Sequence, residues 1–288
     1  MKHALLTSRS MSSLRALALI ALGLGVLSGC AGRSGRPDLE EPPPPVDEPT
    51  LRANYRTAIA AGGSGAADAA YALAGSYWRT HQPDSTRASL EEAVALNPRH
   101  PAALAWLSRL YYEAGEIERG ITLLEPAAAA TDSASHPEVL TNLALLKLAW
   151  GESEAAGTLL QRSIAEHPSY APAYGNLGFL ELQNGNLAAA QKALERAIEL
   201  DDDIPEFHNN LGIVHRKQQQ FAVAAHDFER AVALEPDFRE AHHNLALLYK
   251  LYLLDDDKAR QHFRRFLALG GQADAEVTAL FQVEEKSE

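Results

Sequence analysis

Residues 171–204 read APAYGNLGFLELQNGNLAAAQKALERAIELDDDI, and this 34-residue unit recurs along most of the chain. Each copy carries one leucine at the same place, and the intervals between these leucines are 34, 36, 34, 34 and 34 residues. The six leucines are Leu73, Leu107, Leu143, Leu177, Leu211 and Leu245. Self-similarity at a fixed period of this size indicates a repeat protein, in which one structural unit stacks on the next.

Small residues recur inside each copy of the unit, as expected where two helices cross. The residue directly after the leucine is small every time, at Ala74, Ser108, Ala144, Gly178, Gly212 and Ala246. A second small series lies thirteen residues after the leucine, at Thr86, Gly120, Ala156, Ala190 and Ala224. Pro98, Pro168 and Pro236 end the second helix, because proline lacks the N–H that a helix interior needs. Each unit is therefore predicted to be a hairpin of two closely crossing helices.

This combination of residues resembles the tetratricopeptide repeat. The resemblance implies an all-α fold, an α-solenoid of helix–turn–helix units that forms a right-handed superhelix with its first helices along a concave groove. It covers residues 67–270 as six repeats. The expected repeats start at Ala67, Pro101, Pro137, Ala171, Pro205 and Arg239.

The sixth repeat has one extra residue, which the sequence places in the run from Asp255 to Asp257. This insertion moves the later core positions of the repeat to Ala259, Phe263 and Phe266. Terminal repeats expose apolar faces that need a cover. Residues 51–66 are therefore expected to form an N-terminal capping helix, and residues 271–288 a C-terminal capping helix with an acidic tail.

The N-terminal segment has the parts of a secretory leader: basic residues, an apolar stretch from Ala16 to Leu27, and a small-residue cleavage site. It ends in Leu27-Ser28-Gly29-Cys30, and Cys30 is the only cysteine of the chain. The pattern resembles a bacterial lipoprotein signal, which implies removal of residues 1–29 and lipidation of Cys30. Ala31 favours sorting to the periplasmic face of the outer membrane. An ordinary signal peptide and an apolar N-terminal helix of a cytosolic protein are the alternatives, and the start is Met1 or Met11.

Residues 30–50 are rich in proline, with Pro42 to Pro45 in one run, and are expected to be a disordered tether behind the lipidated cysteine. The chain carries a formal charge of -12, and loss of Lys2, Arg9 and Arg15 with the leader changes it to -12 - 3 = -15. An acidic surface repels phosphate backbones, so nucleic acid is not an expected partner. The expected membrane contact is the lipid on Cys30.

The groove positions implied by the resemblance contain a row of asparagines, one directly before the leucine in four repeats. These are Asn142, Asn176, Asn210 and Asn244. An amide both donates and accepts hydrogen bonds, as an extended peptide backbone requires. The row resembles the asparagine ladder in the repeats of O-linked N-acetylglucosamine transferase. Asparagine is also common at this place in repeats without a known peptide ligand, which is the alternative.

Apolar and charged residues occupy the other implied groove positions and complete the predicted peptide-binding set. The apolar ones are Leu145, Leu148, Phe179, Leu182, Ile213 and Leu247. Trp78, Trp106 and Tyr112 form an aromatic end in the first two repeats, while Arg216, Lys217 and Lys250 form a basic end. An amphipathic peptide or an apolar partner helix, acidic towards the sixth repeat, fits this set. Packing of these residues between neighbouring first helices is the alternative.

The sequence shows no group of residues with the spacing typical of a catalytic or metal site. His208, His215, His242 and His243 lie close in sequence, but His208 and His242 stand where the family has a packing aromatic residue. No metal, cofactor or enzyme activity is expected. The architecture resembles that of the pilotins of type IV pilus secretins, and it predicts a non-catalytic scaffold for assembly of an envelope complex. The alternatives are an accessory subunit of an energised transport system and an adaptor for peptidoglycan hydrolases.

Overall fold

A computed structural model of the chain describes residues 47–61, 65–129 and 136–282, and every regular element in these ranges is helical. The predicted lipidation site Cys30 and most of the tether lie outside them. The α-helices are α1 (Glu48–Ala60), α2 (Gly65–Arg79), α3 (Pro83–Leu96), α4 (Pro101–Glu113), α5 (Ile117–Ala128), α6 (Pro137–Ala149), α7 (Ser153–Glu166), α8 (Ala171–Gln183), α9 (Leu187–Leu200), α10 (Pro205–Lys217), α11 (Phe221–Leu234), α12 (Arg239–Leu248), α13 (Asp256–Ala268) and α14 (Ala275–Gln282). None of these helices is long and apolar enough to cross a bilayer.

The helices are consecutive packed pairs, so the predicted all-α solenoid architecture is confirmed. Five predicted repeat starts coincide with the first residue of a helix, and the first repeat helix begins at Gly65, two residues before the predicted Ala67. Proline at N1 helps to start α3, α4, α6 and α10, because its missing N–H would have no partner there. The sequence pattern therefore locates most helix starts.

The chain divides into two compact units between Leu180 and Glu181, within α8. The first unit contains the cap α1 and the hairpins α2–α3, α4–α5 and α6–α7. Its core is a ladder of fully buried leucines, namely Leu90, Leu104, Leu107, Leu124, Leu140, Leu146 and Leu160. In the hairpins α4–α5 and α6–α7 these side chains come from both helices, so burial of apolar surface holds each of these two hairpins together.

The second unit contains α9, the hairpins α10–α11 and α12–α13, and the cap α14. Phe207, Phe228 and Leu245 are fully buried in it. A Cβ atom on Gly212 would lie 2.7 Å from Cε1 of Phe228, so the two helices of this hairpin cross at a glycine. The prediction that the small residue directly after the repeated leucine lies where two helices cross is confirmed at Gly212.

The extra residue of the sixth repeat is absorbed by a π-helical turn, Tyr249–Leu253, that follows α12. The structure thus places the insertion ahead of the predicted aspartate run, because a π turn takes one more residue than an α turn without breaking the helix. Asp255 instead caps α13, where its side chain accepts a hydrogen bond from the backbone N–H of Lys258. The shifted core positions are confirmed, since Ala259, Phe263 and Phe266 are buried.

Both predicted caps contain a helix. In α1, Arg52 Nε donates to the hydroxyl oxygen of Tyr77 at 3.0 Å, which ties this helix to α2. In α14, Val277 is buried and the ring of Phe281 stacks on Phe263 with centroids 4.0 Å apart. Tyr55 of α1 packs on the core of the first two hairpins, and Val277 and Phe281 of α14 pack on that of the last hairpin, as caps require.

The turn inside each hairpin needs one residue in the left-handed backbone region. Glycine fills this place in Gly115, Gly151 and Gly185, with φ between 72° and 88°. His81, Gln219 and Leu254 fill the corresponding place elsewhere, with φ of 55°, 65° and 57°. This conformation is less favourable by about 1–2 kcal/mol for a residue that has a Cβ atom. The non-glycine turns are therefore strained.

Replacement of Gln219 by glycine should stabilise the second unit by about 1 kcal/mol, because it removes this strain at an exposed position. The measurement is the free energy of unfolding in urea, followed by circular dichroism. The reverse change Gly115→Gln is the control and should destabilise the first unit by a similar amount. A lower unfolding midpoint for Gln219→Gly would show that the Gln219 side chain makes a stabilising contact.

Candidate docking surface

The first helices of the first two hairpins carry four aromatic side chains, here called the aromatic surface: Tyr71, Trp78, Trp106 and Tyr112. The indole rings of Trp78 and Trp106 meet edge to face with centroids 6.1 Å apart. The ring of Tyr71 meets Trp106 in the same way at 5.8 Å. Trp78 is 48% exposed, and the other three are partly buried. Such edge-to-face contacts hold the rings in fixed orientations while one indole still faces solvent.

The position of α4 relative to α2 depends on His100, which lies at the N-terminus of α4. Its Nδ1 accepts a hydrogen bond from the backbone N–H of Ala103 at 3.1 Å, and its Nε2 lies 3.1 Å from Oδ1 of Asp68 in α2. The ring also packs 5.2 Å from Tyr71. Burial raises the pKa of the Tyr71 hydroxyl, so this side chain remains neutral. The aromatic surface thus rests on two helices that are fixed to each other.

Leu145 and Leu148 of α6 continue the apolar character into the third hairpin. They lie two and five residues after Leu143, and both are partly exposed. Leu148 packs on a core cluster that contains Ala144 and Leu160 and remains partly exposed. These two predicted site residues keep the exposure that a binding role requires.

The asparagine row differs from its prediction. Asn176, Asn210 and Asn244 are buried, so the expectation that their amides lie on exposed surface is wrong. In the sixth repeat the position before the leucine faces the preceding first helix, α10, and a buried amide normally has an internal partner. Asn244 Nδ2 donates to Oδ1 of Asn209 at 2.9 Å.

Asn142 is partly exposed but follows the same pattern. Its Nδ2 donates to the carbonyl oxygen of Ala105 at 3.0 Å and lies 3.3 Å from Oγ of Ser108. These atoms belong to the preceding hairpin, so this amide joins two repeats. Binding of a peptide backbone by the asparagine row stays a prediction, although Asn142 and Asn244 already use an amide hydrogen internally.

Four residues of the predicted apolar wall are core residues. Phe179, Leu182, Ile213 and Leu247 are all buried. Leu182 and Ile213 belong to one hydrophobic cluster of the second unit, and Leu247 belongs to another with Phe263 and Val277. Packing between helices, the alternative left open by the sequence, accounts for Leu182, Ile213 and Leu247. The cap α14 contributes to the burial of Leu247, which the sequence pattern did not indicate.

The three cations of the predicted basic end have different surroundings. Lys250 Nζ donates to Oδ1 of Asp256 at 2.7 Å and is partly exposed. Arg216 is only 8% exposed, and its Nη1 has no hydrogen-bond acceptor among the described residues. Burial lowers the pKa of Arg216, although a guanidinium stays charged in proteins. Lys217 is exposed.

The histidines serve packing and hydrogen bonding. His208 Nε2 lies 3.0 Å from the carbonyl oxygen of Asp202, and His242 Nε2 lies 3.1 Å from that of Pro236. Tyr174 makes the equivalent bond from its hydroxyl to the carbonyl of Pro168 at 3.1 Å. All three bonds reach six residues back and fasten the loop ahead of a first helix. Within the described ranges, no group of three or more His, Cys, Asp or Glu side chains is arranged to hold a metal ion.

This geometry defines a helical repeat scaffold with an exposed aromatic surface. Family models described as tetratricopeptide repeats match residues 77–146, 147–211 and 205–238, which together exceed half of the 288 residues. The chain belongs to the tetratricopeptide repeat family. No curated protein sequence is significantly similar to it.

Solved structures show the same fold at low sequence identity. A chain of the APC/C heterotetramer Cut9–Hcn1 gives a TM-score of 0.69 at 17% identity, covering 82% of this chain and 46% of that one. This protein therefore spans about half the length of that relative. PilF of Pseudomonas aeruginosa gives 0.59 at 18% identity, covering 74% and 95%. A thermophilic TPR protein of Thermus thermophilus gives 0.53 at 19% identity, covering 70% and 99%.

Proposed function

We propose that this protein is a non-catalytic docking scaffold, held at the periplasmic face of the bacterial outer membrane by lipid on Cys30. Tetratricopeptide repeats bind proteins or peptides, which supports the scaffold part of the proposal. The lipoprotein pattern around Cys30 supports the anchor, because one thiol at the end of a leader suffices for attachment. The observation that carries the proposal is the aromatic surface.

The aromatic surface is suited to the apolar face of an amphipathic segment in a partner protein. Trp78 leaves nearly half of its surface in water, an exposure that is unfavourable for the isolated chain. Tryptophan and tyrosine dominate the binding energy of protein interfaces, because they bury large areas with few rotatable bonds. Leu145 and Leu148 extend the apolar contact, as an amphipathic helix or extended peptide requires.

The partner belongs to an envelope complex whose assembly the scaffold assists, in the manner of the pilotins. Formation of secretin multimers in a strain that lacks the gene tests this finer role. Loss of multimers supports it. Normal multimers overturn the pilotin role and direct the search to an energised transport system or to peptidoglycan hydrolases.

Removal of the two tryptophans should abolish docking. For the double variant Trp78→Ala, Trp106→Ala, we expect partner affinity to fall about 100-fold or more, since two interface anchors of ~2 kcal/mol each are lost. The measurement is the recovery and affinity of the partner that crosslinks to the wild-type chain in living cells.

Trp150→Ala is the matched control, because Trp150 is 54% exposed and lies outside the aromatic surface. It should leave partner recovery unchanged. Equal loss in the control and the double variant would mean that general surface hydrophobicity, and not this surface, retains the partner.

A further inference from the structure

His242 of α12 and His262 of α13, here called the histidine pair, join the two helices of the sixth repeat. Their Nδ1 atoms lie 2.9 Å apart, and the ring centroids are 5.2 Å apart. The other ring nitrogen of His242, Nε2, lies 3.1 Å from the carbonyl oxygen of Pro236. His242 is only 6% exposed, whereas His262 is partly exposed, so the pair is buried on one side and reachable from solvent on the other.

These contacts determine which ring nitrogens carry hydrogen when both rings are neutral. A carbonyl oxygen only accepts, so Nε2 of His242 donates to Pro236 and Nδ1 of His242 is an acceptor. Nδ1 of His262 is then the donor in the bond between the rings. Both nitrogens of an imidazolium carry hydrogen, so two protonated rings would place two N–H groups against each other. The bond therefore survives a first added proton but not a second.

The groups that face His262 give little compensation for a charge on its ring. The ring of Tyr249, in the π turn, stacks on it with centroids 6.0 Å apart. The Tyr249 hydroxyl donates to Oε1 of Glu229 in α11 at 2.5 Å and accepts from Nζ of Lys258 in α13 at 3.1 Å. One carboxylate and one ammonium group thus lie on the far side of Tyr249, and their effects on His262 oppose each other.

The charged groups next to the histidine pair on its own two helices are paired with each other. These ion pairs are Arg239–Glu240 and Arg265–Asp237. Among the described residues, no carboxylate forms an ion pair with His242 or His262. The preceding hairpin differs, because Asp227 stands at the place equivalent to His262 and its Oδ2 lies 2.6 Å from Nδ1 of His215. A protonated ring would face a carboxylate there, but it faces another imidazole in the sixth repeat.

This environment favours the neutral form of His262. Partial burial, followed by the neighbouring His242, lowers the pKa of His262 from its usual 6.5 to about 4. The folded chain therefore keeps this ring neutral over a pH range in which the unfolded chain protonates it. Since unfolding then takes up a proton, this contribution to stability is complete above about pH 6.5 and decreases as the pH falls towards about 4.

We propose that the histidine pair makes the packing of the sixth repeat sensitive to acid. Near neutral pH one ring donates to the other and holds α13 against α12. In acid both rings become protonated, repulsion between two imidazolium groups replaces the bond, and the two helices separate at this point. Phe263, the next residue of α13, stacks on Phe281 of α14 with centroids 4.0 Å apart. Acid therefore loosens the C-terminal cap together with α13.

The first test compares the loss of Tm on acidification in the wild type and in His262→Asn. Asparagine keeps an amide N–H as a donor near the place of Nδ1 and does not become protonated. Between about pH 7.5 and about pH 5, the wild type should lose roughly 3 °C more than this variant. His226→Asn is the matched control, because His226 is an exposed histidine of the same unit, and it should lose as much as the wild type. An equal loss in the wild type and His262→Asn would overturn the inference.

The second test uses the wild type alone, so it does not depend on the folding of a variant. Nitrogen-15 NMR of the imidazole rings distinguishes their two neutral tautomers. At neutral pH we expect hydrogen on Nδ1 of His262 and on Nε2 of His242, with further protonation of His262 only as the pH approaches about 4. Hydrogen on Nε2 of both rings, or protonation of His262 at its usual pKa of 6.5, would refute the proposal.

Amide hydrogen exchange locates the loosened segment. After correction for the intrinsic effect of pH on exchange, protection of α13 and α14 in the wild type should fall about tenfold between the two pH values. Protection of α10 and α11 should be retained, and His262→Asn should show no such loss in α13. An equal loss of protection in all four helices would indicate general acid unfolding and contradict a local device.

Discussion

Replacement of Gly212 by leucine should destabilise the second unit by about 3 kcal/mol, the largest stability effect expected for a single change in this protein. A Cβ atom at this position would meet three ring atoms of Phe228, at 2.7, 2.8 and 3.1 Å. Phe228 is fully buried, so its ring has no free space to move into. The two helices of the hairpin must separate, and the core that they share with Leu245 must open.

The measurement is the free energy of unfolding by urea, with circular dichroism as the signal, since the tryptophans lie in the first unit only. Gly75→Leu is the matched control, because Gly75 also lies inside a first helix but has no atom within 4 Å of its Cβ position. It should be neutral or slightly stabilising, as leucine favours helix more than glycine does. An unchanged midpoint for Gly212→Leu would contradict the crossing of α10 and α11 at this residue.

Replacement of Cys30 by serine should release the protein from the membrane almost completely. Cys30 is the only thiol, and a hydroxyl does not replace it in the attachment that the lipoprotein pattern implies. Two or more acyl chains bind a bilayer durably, whereas an acidic chain without lipid gains no attraction from anionic headgroups. The measurement is detergent phase partition together with the mass of the N-terminal peptide.

Ala31→Ser is the control for the anchor and should still partition with detergent, since it leaves the thiol in place. Wild-type protein whose N-terminal peptide carries no acyl chain would refute the lipid anchor. The scaffold function would then have to be sought without membrane attachment.

The repeat period made much of the fold predictable, because the same pattern of leucines and small residues occurs in each repeat. The leucine spacing identified helix starts at Pro101, Pro137, Ala171, Pro205 and Arg239, and the small residue at Gly212 identified a helix crossing. The strained turns at His81 and Gln219 lie eight residues after the repeated leucine, as the glycine turns do, so a comparison between repeats finds them too. Leu254 lies nine residues after Leu245, and this register does not find it. The π turn was not predictable, since sequence counts an inserted residue but does not show which backbone segment absorbs it.

The site was only partly predictable, because the register of a helix gives its face but not the distance to the next helix. Asn244 is on the expected face, yet the neighbouring helix is close enough for Asn209 to accept its amide hydrogen. Leu247 is on the same face and is buried with Val277 of a cap whose docking the repeat pattern does not encode. The burial of Arg216, whose Nη1 has no hydrogen-bond partner among the described residues, depends on how the helices pack, and only the structure reveals it.

Site-specific photocrosslinking in living cells tests the central claim, docking of a partner on the aromatic surface, most directly. A photoreactive phenylalanine derivative is placed at Trp78 in one protein and at Leu96 in another. Leu96 is 43% exposed and ends α3, a second helix of the same unit, so it is a matched position away from the aromatic surface. The account predicts one dominant envelope protein crosslinked from position 78 and none from position 96. Crosslinking of that protein from position 96 and not from position 78 would contradict it.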